Sequence, residues 1–390
     1  MSGAPSRRRI VVVSSRYPYP ALRGDQRRLL HIVTGLAVHA DVTLVSFGHG
    51  PPLPGPGRDV RVVTVRRGLA TAAAGNAAAA DPRLPGQVRL YLDARLRRAV
   101  AREVRRGAPP VLHAALGRMA PYLDVGGAAH RHLDLVDPLW LNMRDRAAHA
   151  PEPARAALLL EARLLRRYEV RAAAAADSCS LVSADDLARA PELRGAAVVP
   201  NGVDTATFPF RTPRERPPVL VFFGNLGYFP NESAARLVAE QVLPAVRAGH
   251  PGARLRLAGH RPSATVRRLA RLDGVEVVGP VPAMAPVLHE AAVAVLPMTT
   301  GTGIKNKLLE AFSAGTPVVT NRAGTLGVDG LAGGRHLLLR ETPDELAAAC
   351  IRLLGDPAER IALADAAREL VEARYSWERQ VGALLALYDA

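Results

Sequence analysis

Two lysines stand out because there are only two. Every other one of the 51 basic residues is arginine, and Lys305 and Lys307 fall together in the run Thr299-Thr300-Gly301-Thr302-Gly303-Ile304-Lys305-Asn306-Lys307-Leu308-Leu309-Glu310. That run follows an apolar stretch, Ala292 to Leu296, and opens a helical pattern, Gly303 to Ala314, that stops at Gly315. A loop of small residues leaving a strand and starting a helix aims free backbone N–H groups and the positive helix end at one point, which is a phosphate site. Cations at a helix N-terminus oppose the macrodipole unless an anion joins them. A compact ammonium suits a diphosphate where no planar fork is wanted. Glu310 lies three residues after Lys307, on the same helix face, and could accept two ribose hydroxyls, each bond worth about 1.5–3 kcal/mol. The same spacing also makes an ordinary surface ion pair worth about 0.2–0.5 kcal/mol, and spacing alone leaves both readings open.

Such a loop needs a doubly wound frame to aim it. Residues 9–15 form a β-branched run that ends in Tyr17-Pro18-Tyr19-Pro20, the pattern of a buried parallel strand. A helix over 25–38 and a strand over 42–47 complete a βαβ unit. The Ala-rich stretch from Gly68 to Gly86 reads as a surface excursion, and Val88 to Val104 as one basic amphipathic helix. A longer helix follows over 153–176, then strands over 178–183 and at 198–199. The proline-rich stretch 208–218 reads as a linker. Beyond it the alternation restarts with strands over 219–223, 254–257, 275–278, 292–296 and 317–320, and a helix over 232–246. The expected organisation is therefore an α/β chain of two Rossmann-like, doubly wound domains facing across a cleft, 1–207 and 219–375, with a helix at about 376–390 packing back on the first.

At 390 residues and 48% apolar composition the chain can bury two cores. Over residues 1–207, 30 Lys and Arg face 18 Asp and Glu, an excess of 12, and over the rest 21 face 18, an excess of 3. A basic first half suits an anionic substrate or a membrane surface, and no nucleic-acid-binding pattern accompanies the charge. Cys179 and Cys350 stand alone, so neither a disulfide framework nor a zinc site is expected. No apolar run reaches 18 residues, and the chain reads as cytoplasmic, with peripheral contact at the inner membrane face through its basic half.

The segment Gly303-Ile304-Lys305-Asn306-Lys307-Leu308-Leu309-Glu310-Ala311, followed by Ala314-Gly315-Thr316-Pro317-Val318-Val319, resembles the donor-site signature of family 4 retaining glycosyltransferases, which have the GT-B fold. Pro200-Asn201-Gly202-Val203-Asp204 and Tyr375-Ser376-Trp377 are similarly placed in that family. Arg16-Tyr17-Pro18-Tyr19-Pro20, Gly24-Asp25-Gln26-Arg27-Arg28, His31 and Phe223-Gly224-Asn225-Leu226-Gly227-Tyr228-Phe229-Pro230-Asn231 look most like the branch associated with exosortase and exopolysaccharide loci, and sugar transferases of antibiotic pathways share such features. The resemblance implies transfer of a sugar from a nucleotide-diphosphate sugar, UDP foremost, to a hydroxyl acceptor, with retention and with no cofactor or metal. It implies that Glu310 binds ribose, that Gly303, Ile304 and Lys305 offer amides to the diphosphate, and that Lys307 neutralises it. Gly279 and Val281 would face the nucleobase, while Gly224, Asn225, Gly259 and Thr302 belong with the donor. His113, at a strand end, would lie near the sugar. Thr302 stands where the family has the first of two glutamates, and Asn225 and Asn231 occupy a segment where it has an Arg and a Lys, so Lys305, Lys307 and Arg28 must supply the charge.

On the acceptor side the candidates are Gly24, Asp25, Arg28, His31, Asp134 and Asp137. Asp134 and Asp137 could receive a cationic acceptor, although an Asp before Pro138 also starts turns; Asp25 could equally be a helix N-cap. The acceptor is either a glycan or glycolipid precursor or a secondary metabolite such as an aminoglycoside intermediate. A nucleotide-sugar epimerase and a non-catalytic sugar-nucleotide-binding protein are the competing readings. A nicotinamide enzyme is disfavoured, because Ser14-Ser15-Arg16-Tyr17-Pro18-Tyr19 stands where G-x-G-x-x-G would be needed.

Overall fold

A computed structural model of the chain describes residues 7–21, 23–66, 83–298 and 303–389. The Ala-rich excursion, save its last few residues, and the loop residues Thr299, Thr300, Gly301 and Thr302 lie outside that set. The contacts divide into two units, Met1–Asn201 with Trp377–Ala390, and Gly202–Ser376.

In the first unit the described strands are β1 (Arg9–Ser14), β2 (Asp41–Phe47), β3 (Arg61–Val65), β4 (Val111–Ala115), β5 (His130–Val136), β6 (Ser178–Leu181) and β7 (Ala197–Val198). All pair in parallel, in the order β3-β2-β1-β4-β5-β6-β7. The order reverses between β1 and β4, and there the carboxyl ends leave a crevice. Alternation along β1 sends Ile10 and Val12 into a core shared with α1 (Gly24–His39) and the C-terminal helix, while Val11 and Val13 enter the core on the other face. Both faces are covered, which is why the strand is a continuous apolar run.

The expected helix over 88–104 is two, Gly86–Arg89 and α2 (Ala94–Val104). Asp93 breaks it: its carboxylate caps α2 by accepting from the N–H groups of Arg95 at 2.7 Å and Leu96 at 3.4 Å. The long helix α3 (Ala154–Ala175) runs as anticipated.

In the second unit the described strands β8 (Val219–Phe223), β9 (Arg254–Ala258), β10 (Val275–Val278), β11 (Val293–Val295), β12 (Val318–Thr320) and β13 (Leu338–Leu339) form a second parallel sheet, β10-β9-β8-β11-β12-β13, whose order reverses between β8 and β11. The helix expected over 232–246 resolves into α4 (Phe229–Leu237), a π turn at Val238–Val242 and a helix at Leu243–Gly249. Pro244 lacks the N–H for a regular ladder and its ring crowds a carbonyl one turn earlier.

The expected linker also differs. The division falls at Asn201, and residues 208–218 belong to the second unit. Arg216 donates to the carbonyls of Leu288, Ala291 and Arg211, and Arg360 donates to those of Pro213 and Arg214, so a proline-rich stretch without a ladder of its own is held by guanidinium forks. The last helix, α6 (Trp377–Leu387), belongs to the first unit. Between α3 and α6 in chain order lies α5 (Asn306–Ala314), which carries the lysine motif.

Glu169 on α3 accepts from the N–H groups of Leu139 at 3.1 Å and Trp140 at 3.3 Å, closing the helix that follows β5. Burial pushes its carboxyl up to about 8, against the pull of those two N–H groups and of Arg118. A carboxyl raised above its unfolded value stabilises the fold fully below that value and loses the contribution as pH rises through about 8. Thermal melting from pH 4.5 to 8 is therefore expected to show a fall for wild type that Glu169→Gln flattens; identical profiles would contradict it.

Candidate active site

The lysine motif lies at the switch point of the second sheet. The helix starts later than its pattern implies, at Asn306 rather than Gly303, because Gly303 has φ +69° and Lys305, the N-cap residue, has φ −85° and ψ 80°. Gly315 closes α5 in the left-handed region, φ +75°, as read from the sequence. From the second residue of α5, Lys307 reaches the ends of the two central strands. Its Nζ donates to Asn231 Oδ1 at 2.7 Å, lies 3.7 Å from Met298 Sδ beyond β11, and sits 4.5 Å from the ring centre of Phe222 on β8. Asn231 is itself held, its Nδ2 donating to the carbonyl of Asn225 at 3.0 Å.

No carboxylate among the described residues pairs with the Lys307 ammonium. Burial draws it down to about 7; Lys305 adds to that and Glu310 opposes it. Lys305 Nζ turns back to the carbonyl of Gly303 at 3.3 Å, and both Lys305 and Glu310 are buried, at 8% and 9% exposure. The turns at these strand ends meet through their backbones. Gly224, after β8, has φ +141°, and Gly259, after β9, has φ +138°. A Cβ on Gly259 would stand 1.9 Å from the carbonyl oxygen of Gly224. Gly279 and Val281 follow the edge strand β10, and a Cβ on Gly279 would meet nothing within 4 Å, so there the glycine answers no packing need in this structure.

In the first unit a small cavity of about 20 Å³ lies at the other switch point, lined by Ser14, Ser15, Arg16, Asp25, Arg28 and His113 among others. Arg28 is not available to a ligand. Its Nε and Nη2 donate to the two oxygens of Asp134 at 2.8 and 3.2 Å, and Nη1 donates to the Pro200 carbonyl and to Asn201 Oδ1. Both partners are 1% exposed. Asp134 also accepts from Ser180 Oγ and from the N–H of Val136, each at 3.2 Å, and the Arg28 charge outweighs burial to hold its carboxyl below the ordinary value. Two non-glycine residues at these strand ends, Leu116 at φ +78° and Val136 at φ +62°, are held in the left-handed region.

Against known proteins, residues 217–356 match the family model described as glycosyl transferases group 1. The glycogen synthase of Mycobacterium tuberculosis is 28% identical over 98% of this chain and 94% of its own length. Among solved structures, HepE of Anabaena in complex with UDP-glucose has a TM-score of 0.69 at 15% identity, over 97% of this chain and 99% of that one. Sucrose-phosphate synthase of Thermosynechococcus elongatus has 0.68 at 17% identity, over 98% of each.

The protein is a GT-B glycosyltransferase. Several of the residues expected at its acceptor side are engaged elsewhere. Arg28 and Asp134, expected as separate groups, neutralise each other in the core. His31 stacks on Trp377 of α6, ring centres 4.6 Å apart. Asp25 is the second residue of α1 rather than its N-cap, and it pairs with Arg16 at 3.2 Å. Asp137 is half-buried beside Glu169, and Gly24 is the first residue of α1. His113 stands in the middle of β4, not at its end, fully buried, with Nδ1 2.7 Å from Tyr388 Oη.

Three groups went unassigned in the sequence: Asn231 and Met298, which meet Lys307 in the second unit, and Tyr388, which meets His113 in the first. The first two adjoin residues already singled out, but which side chain meets Lys307 is decided by strand order. Thr302 lies outside the described residues. Gly259→Ala is expected to lower stability by about 1–3 kcal/mol, the cost of forcing a methyl into packed backbone; an unchanged denaturation midpoint would show that the two strand-end turns can part.

Proposed function

We propose that the chain is a family 4 enzyme that transfers a sugar from a UDP-sugar to a hydroxyl acceptor, with retention and without a metal. The observation that carries this is the Lys307 ammonium, held at the switch point of the second sheet by Asn231 and Phe222 with no carboxylate paired to it among the described residues. Such a charge is matched to a diphosphate: two lysines and the amino end of α5 oppose the negative charge that grows on the leaving group as the glycosidic bond breaks. Glu310, one turn on, takes the ribose. Gly224, Asn225, Gly259, Gly279, Val281, Gly303 and Ile304 complete the donor site. Uridine is favoured by the likeness to HepE, which was solved with UDP-glucose. In the retaining course the departing phosphate oxygen accepts the proton of the acceptor hydroxyl, so the protein's work is positioning and charge, and Lys307 takes the place a metal would fill.

The acceptor we infer is anionic or membrane-borne. Asp134, one of the two carboxylates that could receive a cationic acceptor, is answered by Arg28, and the nearby Asp25 by Arg16. A groove of about 620 Å³ beside α3 is lined instead by Arg144, Arg163, Arg166, Arg167 and Arg171 around Trp140, with Glu192 the one acid. Leu159 and Leu160 lie exposed on α3 at 44% and 62%, so charge and apolar surface coincide. No helix among the described residues is long and apolar enough to cross a membrane. Wild type is expected to sediment with phosphatidylglycerol vesicles and not with phosphatidylcholine, and to lose this when Arg163, Arg167 and Arg171 become Glu. Failure to sediment with either would leave a soluble acceptor.

Calorimetric titration with UDP, GDP, dTDP and ADP in EDTA tests the donor site. UDP should bind, and Glu310→Ala and Lys307→Ala should each weaken it; with a working acceptor, Lys307→Ala should lower kcat by about 10²-fold or more. No nucleotide binding by folded wild type would sink the proposal. Release of UDP only when acceptor is present separates transfer from epimerisation, and binding with no turnover would leave a non-catalytic binder.

The lysine also sets a pH dependence. Free Lys307 titrates near 7, and a bound diphosphate favours its charged form, so above pH 7 binding must take up a proton. UDP affinity is expected to fall from pH 7 to 9 by up to about tenfold per pH unit, and Lys307→Ala to remove the slope; an equal slope in both proteins would place the titrating group elsewhere.

A further inference from the structure

Gly303 and Ile304 are backed by a turn that belongs neither to α5 nor to β11. Gly327, in the segment after β12, lies against them backbone to backbone: a Cβ on it would stand 2.7 Å from Ile304 Cα and 2.9 Å from the Gly303 carbonyl oxygen. The start of that segment is fixed by Asn321, whose Nδ2 donates to the Met298 carbonyl at 2.8 Å while its Oδ1 accepts from the Met298 N–H at 3.0 Å. Met298 is the residue whose sulfur meets Lys307. The stretch 321–330 therefore adjoins the donor site at two points, and the second depends on how its far end is held.

Tyr375 holds that end. Its hydroxyl donates to the Asp329 carbonyl at 2.9 Å. The residue is 2% exposed, and burial pushes its phenol up to about 12, so the hydrogen stays on to be donated. Tyr375 is itself fixed on both sides. Its N–H donates to the Val371 carbonyl at the close of the helix Pro357–Arg374, and its own carbonyl accepts from the Val203 N–H, each at 2.8 Å. All of these contacts lie within the second unit. Tyr375 also opens Tyr375-Ser376-Trp377, a motif to which the donor chemistry gave no task.

We propose that Tyr375 is a positioning residue for the diphosphate: through Asp329 and Gly327 its hydroxyl sets where the amides of Gly303 and Ile304 stand. This rests on the reading of those amides as donors to the diphosphate. The phenol acts at a remove, through two stretches of backbone. Hydrogen bonds weaken steeply as they lengthen and bend, so a loop released from behind still folds but presents its N–H groups less squarely to the phosphate oxygens.

Phosphorus NMR of UDP, titrated to saturation, tests this with Tyr375→Phe, a change that removes one oxygen and keeps the ring. Wild type is expected to displace both phosphorus signals from their free positions. In Tyr375→Phe the signals of the fully bound nucleotide should return part of the way, and UDP affinity should fall by roughly threefold to tenfold, the weight of one hydrogen bond. A merely structural tyrosine would lower the denaturation midpoint and leave the bound phosphorus signals where wild type has them; that result overturns the proposal, whatever the affinity does. In the ligand-free chain, the amide nitrogen–proton signals of Gly303 and Ile304 should shift between wild type and Tyr375→Phe. If wild type binds no UDP, the donor-site reading fails, and these amide signals still decide the positioning: were they unmoved, Tyr375 would have no hold on the loop.

Discussion

A guanidinium with 1% exposure must have its N–H groups answered, and in the first unit much of the architecture around β5 answers Arg28. Asp134 takes two of its hydrogens, while the chain at Pro200 and Asn201 takes a third. Through Asp134 the demand passes to Ser180 on β6, and from there to His132, Ser178 and His130. An isolated charge at that depth would be untenable; a fully bonded pair is tolerated and fixes how α1, β5 and β6 meet. Beside the same network lies the narrow cavity, with the backbone of Leu116 and Val136 strained around it.

The second unit handles its buried charge in the opposite way. Lys307 receives an amide oxygen, a thioether and an aromatic face, all of which hold an ammonium without cancelling it. One sheet therefore neutralises the cation at its switch point and the other keeps it available. That contrast separates a charge spent on the fold from one left without an ion-pair partner among the described residues, although both residues looked alike as basic groups near a helix start.

Much of the frame was legible. The runs at Ile10–Val13 and Val219–Phe223 are buried central strands, α1 and α3 lie within a residue or two of their patterns, and Gly315 ends α5 as its type demands. Short elements escaped, because β3, with its exposed residues, and the two-residue β13 carry too little periodicity to register. The break before α2 escaped because apolar spacing continued across Asp93. At the site, the pattern could say that Arg28 and His31 share a helix face but not what opposes it. Asp134 is 106 residues away in sequence and Trp377 more than three hundred, and only the folded sheet brings them in. Tyr388 lay beyond any local signal for the same reason.

The ordering of α6 has a consequence for how the protein is made. The first unit is not contiguous in the chain: its cavity-facing histidine takes its tyrosine from a segment synthesised only after the whole of the second unit, Gly202–Ser376. On the ribosome the first sheet can form early, yet α1 waits with His31 and Gly35 unsheltered on the side where α6 will pack. The two halves of the enzyme therefore mature in reverse of their order in the gene, and the first is finished last.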